Sequence, residues 1–387
     1  MTNETLDITP SKKVFKNPGK PHVKGMSIAE LEEFLKALGE PRFRAEQVFR
    51  ALYSGAESFK SMAGLPAALR EKLEDELVFK TLTLEKLQKS DDGTHKFLFT
   101  LPDGGRIESV LIPSETVGDD GEPKRMTLCV STQVGCPLGC KFCATASLKV
   151  KRNLSVAEIV DQLLQAQKYA AQKITNMVFM GMGEPMLNYD NVMSAVEIFT
   201  HPKTELLSPK RITLSTAGMV DGIKRMADEN RPIKLALSLH ATTNGLRQKL
   251  MPIAKKYDLK TLMDAIEYYY RKTRRTVTYE YILFEGVNDS PEDAQRLAKI
   301  TRRVPSKVNV IPFHAIEFTN PTGIAAELKP TSPENFKNFI KMLQDLGTTV
   351  MIRSSSGEDI DAACGQLAFS PAVAEDATVH LHAMENV

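Results

Sequence analysis

Apolar residues in the first part of the chain recur at helical spacing. Ser27 and Glu30 form the S-x-x-E pattern of a capping box, and an apolar stripe follows them. Two further stripes with the same spacing come next. The pattern predicts a small N-terminal helical domain over residues 25–78. Residues 1–24 contain lysines and prolines but few apolar residues, which predicts a flexible basic leader.

Beyond the helical domain the apolar period falls toward two. Phe97, Phe99 and Leu101 alternate with polar residues up to an Asp-Gly-Gly turn, and a second apolar run follows that turn. This pattern predicts a linking β-hairpin within residues 79–122.

Short apolar strands alternate with helices in the rest of the chain. One helix begins at a second capping box, Ser155 with Glu158, and the last begins near Pro333. The predicted strands lie at 126–132, 176–180 and 348–353, and near residues 211, 234, 277 and 307. Because β-α alternation produces parallel sheets, we expect an α/β domain over residues 123–355, open or curled toward a barrel. Its chemistry is expected at the carboxyl ends of the strands.

Composition narrows the class of protein. The 50 Lys and Arg residues nearly balance the 48 Asp and Glu residues, which excludes a bulk polycationic surface of the histone kind. No run approaches 18 apolar residues and no apolar segment follows the first charges, so we expect a cytoplasmic protein with no membrane partner. Five cysteines, three of them within eight residues, do not make a disulfide scaffold. A catalytic or metal-binding role explains these cysteines better than disulfide bonding does.

The cysteine triplet follows the first strand of the α/β domain. Cys136, Cys140 and Cys143 lie in GCPLGCKFC. Thiolates bind zinc or iron–sulfur clusters, and structural zinc usually takes four ligands from two knuckles, whereas this sequence has one. A cubane cluster on three thiolates would leave one iron open for a reactive ligand. Buried or zinc-bound cysteines are the alternative interpretation.

Polar groups follow three later strands. Glu184 in GMGEP offers an acceptor for an ammonium group, and position 186 is Met186 where a dinucleotide-binding fingerprint needs glycine. Ser215 and the Ser238-Leu239-His240 run end two further strands. Strand-end caps and satisfied core groups are the alternative roles for each of them.

The motifs together resemble those of the RlmN/Cfr family of radical S-adenosylmethionine (SAM) RNA adenine methyltransferases. The matching stretches are LCVSTQVGCPLGCKFCATA, FMGMGEPMLN, RITLSTAG, LALSLHA, LRQKLMPI, EYILFEGVND and GEDIDAACGQL, and FRAEQVFRALY extends the likeness into the helical domain. The resemblance implies a partial (β/α)6 radical SAM barrel. It also implies a [4Fe-4S] cluster on the three cysteines, with SAM bound at the open iron.

The resemblance further implies a reaction and its participants. The family methylates C2 of an adenosine in 23S rRNA and of one in the anticodon loop of tRNA, with two SAM per turnover and a low-potential electron donor such as flavodoxin or ferredoxin. Carbon 2 of adenine carries no lone pair, so it cannot attack the methyl group of SAM as a nucleophile. A radical reaction does not need that lone pair. In this sequence the methyl-carrying cysteine falls on Cys364, within the C-terminal segment 356–387 whose end, 371–387, is predicted to be a loose tail. The cysteine that releases the adduct as a disulfide falls on Cys129, and the proton acceptor falls on Glu108.

Motif matching also carries over the SAM contacts. They fall on Gly183, Glu184, Ser215, Ser238, Leu239, His240 and His314. His314 stands where the family usually has asparagine, and imidazole can replace one of the amide's two hydrogen bonds. Methylation at C8, as in the resistance paralogue, and a zinc-stabilised RNA-binding module without catalysis are the alternative functions.

RNA binding must come from local clusters of positive charge. The candidates are Arg42, Arg44, Arg50 and Arg70 in the helical domain, Lys141, Lys149, Lys151 and Arg152 beside the triplet, and Arg271, Lys272, Arg274 and Arg275 after three tyrosines. For any one run, a solvated helix end is the alternative. An adenosine in folded RNA would also have to be unstacked to reach the barrel.

Overall fold

One ten-stranded sheet organises the chain. A computed structural model describes residues 19–118, 121–353 and 356–368. Its strands run in the order β1-β2-β3-β4-β7-β8-β9-β10-β11-β12, and β5 and β6 form a separate two-stranded ribbon. The strands are β1 (Thr83–Lys89), β2 (His95–Thr100), β3 (Arg106–Pro113), β4 (Met126–Cys129), β5 (Gln133–Val134), β6 (Arg152–Asn153), β7 (Asn176–Phe179), β8 (Ile212–Thr216), β9 (Lys234–Ser238), β10 (Val277–Leu283), β11 (Ser306–Pro312) and β12 (Val350–Ile352).

The helices of the described residues pack in two groups. The first group is α1 (Ile28–Ala37), α2 (Phe43–Tyr53) and α3 (Ala67–Glu76). The second group follows the barrel strands: α4 (Val156–Gln167), α5 (Tyr189–Thr200), α6 (Val220–Asp228), α7 (Asn244–Leu250), α8 (Leu259–Thr273), α9 (Pro291–Thr301), α10 (Ile324–Glu327) and α11 (Pro333–Asp345). Both predicted capping boxes are present, at the starts of α1 and α4. No helix in the described part of the chain is long and apolar enough to cross a bilayer.

In the main sheet, β4 and the strands from β7 to β12 are parallel, as the alternation predicted. Each pairs with the next strand in the sheet order in parallel register. They form the partial barrel, and β12 is a short edge strand of three residues. The first predicted strand, 126–132, ends earlier, at Cys129. Beyond it the backbone turns to bond the loop after β7, where the Thr132 N–H donates to the Met182 carbonyl over 2.8 Å.

The predicted hairpin is part of the main sheet. Its two strands are β2 and β3, and β3 pairs antiparallel with β4 at the first edge of the barrel. β1 adds a third antiparallel strand that the sequence pattern did not predict. Its residues, TLEKLQK, are half-exposed along most of their length, because an edge strand needs only a weak apolar face.

The N-terminal helices share one apolar core with the barrel. Lys24, at the end of the predicted leader, is buried, and its ammonium nitrogen lies 2.7 Å from Oδ1 of Asp161 on α4. The Tyr53 hydroxyl donates to the Lys24 carbonyl over 3.0 Å. Lys24 is therefore part of the folded domain and not of the flexible leader that the sequence predicted over residues 1–24, because a buried carboxylate holds this lysine. Residues 1–18 and the predicted tail 371–387 lie outside the described residues.

Candidate active site

The cysteine triplet lies on a loop that the β5–β6 ribbon closes. Gly135 begins the loop with φ +81°, and a Cβ there would come within 2.6 Å of the Lys149 carbonyl oxygen on the returning strand. The Lys141 N–H donates to the Leu250 carbonyl over 2.9 Å, which ties the loop to α7. Backbone contacts therefore hold the loop in place and leave the thiols free for ligands.

The three thiols face one cavity of about 150 Å³, which we call the cysteine cavity. Burial raises the pKa of Cys136 to about 12 and also raises the pKa of Cys140 and Cys143. Thiols in this setting ionise when a positive centre compensates their charge, which fits metal ligation. Among the described residues, no three His, Cys, Asp or Glu side chains lie close enough together to hold a single metal ion.

The GMGEP loop forms one wall of the cysteine cavity. Gly183 has φ +99°, and a Cβ there would come within 2.6 Å of the Gln133 side chain. The Glu184 carboxylate accepts from the Ala217 N–H over 2.8 Å and from the Met186 N–H over 3.0 Å. Burial raises the pKa of Glu184 to about 7, although these hydrogen bonds oppose the shift. Its remaining lone pairs can accept from an ammonium group.

The ends of β8 and β9 supply the opposite wall. The Ser215 and Ser238 hydroxyls are 3.4 Å apart, and both residues line the cavity beside His240. Burial and the nearby Arg247 lower the pKa of His240 to about 3, so its ring is neutral. Its Nδ1 accepts from the Ile282 N–H over 3.1 Å, and its proton is therefore on Nε2.

Two of the predicted SAM contacts lie apart from the cavity walls. The side chain of Leu239 is buried in the core, and its N–H donates to the Glu280 carbonyl over 3.1 Å. His314 is also buried, and its Nδ1 lies 3.3 Å from a carboxylate oxygen of Glu358. Neither residue lines the cysteine cavity. His314 instead contacts the C-terminal segment.

That segment places Cys364 over the barrel. The Ala144 N–H, one residue after the triplet, donates to the Gly365 carbonyl over 2.6 Å, and the Thr145 hydroxyl donates to the Leu367 carbonyl over 2.6 Å. At the other end of the segment, the Gly357 N–H donates to the Asp92 carboxylate over 2.9 Å. Hydrogen bonds therefore fix the backbone on both sides of Cys364.

A second cavity, of about 390 Å³, fills the inside of the barrel, and we call it the lumen cavity. Cys129, at the end of β4, lines it, and Cys364 lines both cavities. Burial raises the pKa of Cys129 to about 12 and raises that of Cys364, whereas the Arg353 guanidinium opposes both shifts. All five cysteines are free thiols, so the disulfide that the resemblance implies is not formed in this structure.

Sequence reasoning missed three residues between the two cavities. Met180, Glu280 and Arg353 line both of them. Arg353 lies at the end of the last strand, where its guanidinium donates to the Met180 sulfur over 3.2 Å. A signal existed in the strand alternation, because Glu280 and Arg353 occupy inward positions of β10 and of the residues after β12.

Glu108 is buried on β3, on the same face as Val110, which pairs with Cys129. Burial raises the pKa of Glu108 to about 7, and the Lys96 ammonium, 3.9 Å from Oε1, opposes the shift. Its other oxygen has no hydrogen-bond partner among the described residues. An unpartnered buried carboxylate near neutrality is suited to accept a proton. Glu108 lines neither cavity in this structure.

Several of the predicted RNA-binding cations are paired with acids. Arg152 bonds to Asp103 over 2.6 Å and to Glu158 over 2.7 Å. Arg42 pairs with Glu32 and Lys272 with Asp228. The local charge runs of the sequence are thus partly neutralised by folding.

Comparison with known proteins agrees with this geometry. The family model for the radical SAM superfamily matches residues 130–298, and the model for the ribosomal RNA large subunit methyltransferase N-terminal domain matches residues 22–78. A crystal structure of a radical SAM methyltransferase from Sphaerobacter thermophilus superposes with a TM-score of 0.82 at 39% identity, over 89% of this chain and 98% of that one. The fold and the cysteine loop define a radical SAM enzyme, and its cofactors are a [4Fe-4S] cluster and SAM.

Two relatives specify the family. The dual-specificity RNA methyltransferase RlmN of Syntrophobacter fumaroxidans is 44% identical over 89% of this chain and 97% of its own length. RlmN of Geobacter sulfurreducens is 44% identical over 89% of this chain and 91% of its own length. The chain belongs to the RlmN family of dual-specificity RNA methyltransferases. The predicted partial barrel, the cofactors and the RNA methyltransferase class are confirmed.

Proposed function

We propose that this radical SAM RNA methyltransferase methylates C2 of an adenosine in 23S rRNA and of an adenosine in the tRNA anticodon loop, through a methylated Cys364. The observation that carries the proposal is the position of Cys364, which lines both the cysteine cavity and the lumen cavity. A residue in that position can receive a carbon on one side and deliver it on the other.

The residues of the cysteine cavity fit the two cofactors. Cys136, Cys140 and Cys143 would hold the cluster, and Glu184 would accept from the amino group of SAM. Ser215, Ser238 and the Nε2–H of His240 offer further polar contacts. When bound, the cluster and SAM supply a methyl group for Cys364 and a carbon-centred radical that takes hydrogen from that methyl.

Residues of the lumen cavity, together with Glu108 on the neighbouring strand β3, fit the steps on the base. Once the carbon on the Cys364 sulfur is joined to C2 of adenine, Glu108 takes the C2 proton, and the unpaired electron left on the adduct would return to the electron chain of the bound cluster. The Cys129 thiolate attacks the Cys364 sulfur, so that a disulfide forms and the carbon–sulfur bond breaks. The electron pair of that bond stays on the carbon, which takes a proton and becomes the methyl group. Arg353 favours this step because it stabilises thiolates at both cysteines.

Mass mapping of the product RNA tests the proposal. Protein reconstituted anaerobically with iron and sulfide, then supplied with SAM and a low-potential donor such as flavodoxin or ferredoxin, should convert the target to 2-methyladenosine. We expect this product in both a 23S rRNA fragment and a tRNA. If the product is the 8-methyl isomer, the enzyme has the chemistry of the Cfr paralogue instead. If only the rRNA fragment is methylated, tRNA is not a substrate.

A further inference from the structure

The inward-facing side chains of the barrel strands differ in charge between the two ends of the barrel. Side chains two residues apart on a strand face the same side of a sheet. Three cations that line the lumen cavity each precede a site residue by four positions, at the first residue of a strand or directly before it: Arg125 before Cys129, Arg211 before Ser215, and Lys234 before Ser238. The amino ends of the strands therefore carry positive charge where the carboxyl ends carry thiols and hydroxyls.

Four cations meet at the amino end of the lumen cavity. Arg125, Arg211, Lys234 and Lys307 all line it, and we call them the lumen ring. Burial lowers the pKa of Lys234, and the other three members of the ring lower it further. The ring is therefore one electrostatic unit, although its members are far apart in the sequence.

The lumen ring has no acidic partner of its own. In the portion of the chain that the structure describes, none of its four members forms an ion pair with a carboxylate. Arg211 donates to the Asn176 side chain over 3.3 Å. The cavity also contains two carboxylates: Glu115, which is exposed at the mouth, and Glu280, which is buried deeper and accepts from Asn309 over 2.8 Å. Four converging cations that neither carboxylate pairs with indicate an anionic ligand at this mouth.

The cavity links the ring to the reacting cysteine. Four residues of strand span about 13 Å between the ring and the thiols, before the long side chains of the ring extend inward. A volume of about 390 Å³ suits a single small ligand and not a duplex. One extruded nucleotide can therefore place its base at Cys364 while its phosphates remain at the ring.

The opposite end of the barrel is less open to RNA. The C-terminal segment crosses it and is hydrogen-bonded to the cysteine loop at Ala144 and Thr145. Lys149 and Lys151, which the sequence suggested as an RNA contact, lie beside that loop. RNA approaching from there would meet the segment before it reached Cys364.

We propose that the lumen ring binds the RNA phosphates that flank the target adenosine, so that the base enters the barrel from the amino ends of its strands. This inference rests on the proposed function, because it assigns the RNA path to Cys364. The ligand chemistry is a phosphodiester in single-stranded RNA, which cations bind with little regard to sequence.

A binding experiment on the full-length holoenzyme tests the ring. The ring variant is Arg211→Gln with Lys234→Gln, and the matched control is Lys149→Gln with Lys151→Gln, which removes the same charge at the opposite end. Affinity for a 23S rRNA hairpin with an unpaired adenosine is measured between about 0.05 and 0.2 M salt. Iron content and SAM binding, measured in each variant, report whether the fold and the cofactor site are intact.

We expect the ring variant to lose two phosphate contacts. Each contact contributes about 0.7 to the slope of log K against log salt, so the slope should fall by about 1.4 and binding should weaken about tenfold at 0.15 M salt. The control should keep the slope of the wild type, and Arg211→Lys with Lys234→Arg should restore it.

The outcomes separate this inference from the proposed function. An unchanged slope in the ring variant, or a reduced slope in the control alone, would contradict RNA binding by the lumen ring. Formation of 2-methyladenosine by the wild type would be unaffected by that result. If the wild type binds RNA through the lumen ring but makes no 2-methyladenosine, the proposed function is contradicted and RNA binding by the ring is supported.

Discussion

The two ends of the barrel are built differently from the same strands. At the carboxyl ends, loops rich in glycine bring Cys136, Glu184 and His240 around the cysteine cavity. At the amino ends, residues at or next to the starts of four strands bring four cations around the lumen cavity. Loops after the strands thus line the cofactor cavity, residues at the strand starts supply positive charge, and Cys364 lies where the two cavities meet.

The largest effect should come from the carboxyl end. Cys140→Ala should abolish the [4Fe-4S] cluster and all SAM cleavage, because two thiolates do not hold a cubane that needs three. Iron analysis and absorption spectroscopy after anaerobic reconstitution measure this. Cys129→Ala is the matched control, since its thiol faces the lumen cavity, and it should keep about four irons as the cubane requires. Full SAM cleavage by Cys140→Ala would contradict the ligand assignment.

Cys364→Ala should remove methyl transfer but leave the cluster in place. Without its sulfur no carbon can be loaded on the enzyme, so the RNA should remain unmodified and no protein–RNA adduct should form. Mass spectrometry of the protein after incubation with SAM should show one added methyl group in the wild type and none in this variant. A methyl group retained on the variant at another residue would show that Cys364 is not the carrier.

Glu108→Gln should slow removal of the C2 proton by about 10²- to 10⁴-fold, the usual contribution of a general base. A base acts in its deprotonated form, and the pKa of Glu108 is raised to about 7. The single-turnover rate of the wild type should therefore rise with pH through about 7, and the variant should lack that rise. Glu115→Gln, at an exposed carboxylate of the lumen mouth, is the control and should keep the wild-type profile.

The smallest effect should come from a residue at neither end. Lys24→Met breaks the buried ion pair with Asp161 and should cost about 3–5 kcal/mol of unfolding free energy, because it leaves a buried carboxylate without its cation. Lys20→Met, at an exposed lysine nearby, should change stability little. Urea denaturation compares them. Equal stabilities would mean that the buried pair does not anchor the N-terminal helices.

Much of the fold follows from the sequence because its signals are local. The capping boxes at Ser27 and Ser155 and the apolar strands from β7 to β11 are patterns within a few residues. β1 was missed because an edge strand shows little apolar alternation. Burial of Lys24 was missed because its partner, Asp161, is 137 residues away.

The candidate site divides in the same way. The cysteine triplet is a local motif, and its spacing, with the family resemblance, predicted a cluster. Arg353 and the members of the lumen ring come together only when the sheet curls. No local run of charge in the sequence therefore predicts this cluster. In the run that ends at Arg152, only folding shows that Asp103, from the turn between β2 and β3, pairs with that arginine.

One trapped intermediate tests directly whether Cys364, which lies between the two cavities, carries the transferred carbon. Cys129→Ala holoenzyme, given SAM, a reductant and a 23S rRNA fragment without oxygen, should accumulate protein joined to RNA, because no thiolate attacks the Cys364 sulfur. After nuclease and protease digestion, mass mapping should find one methylene group joining Cys364 to C2 of an adenosine. Normal turnover by this variant, or an adduct on any other residue, would contradict the account.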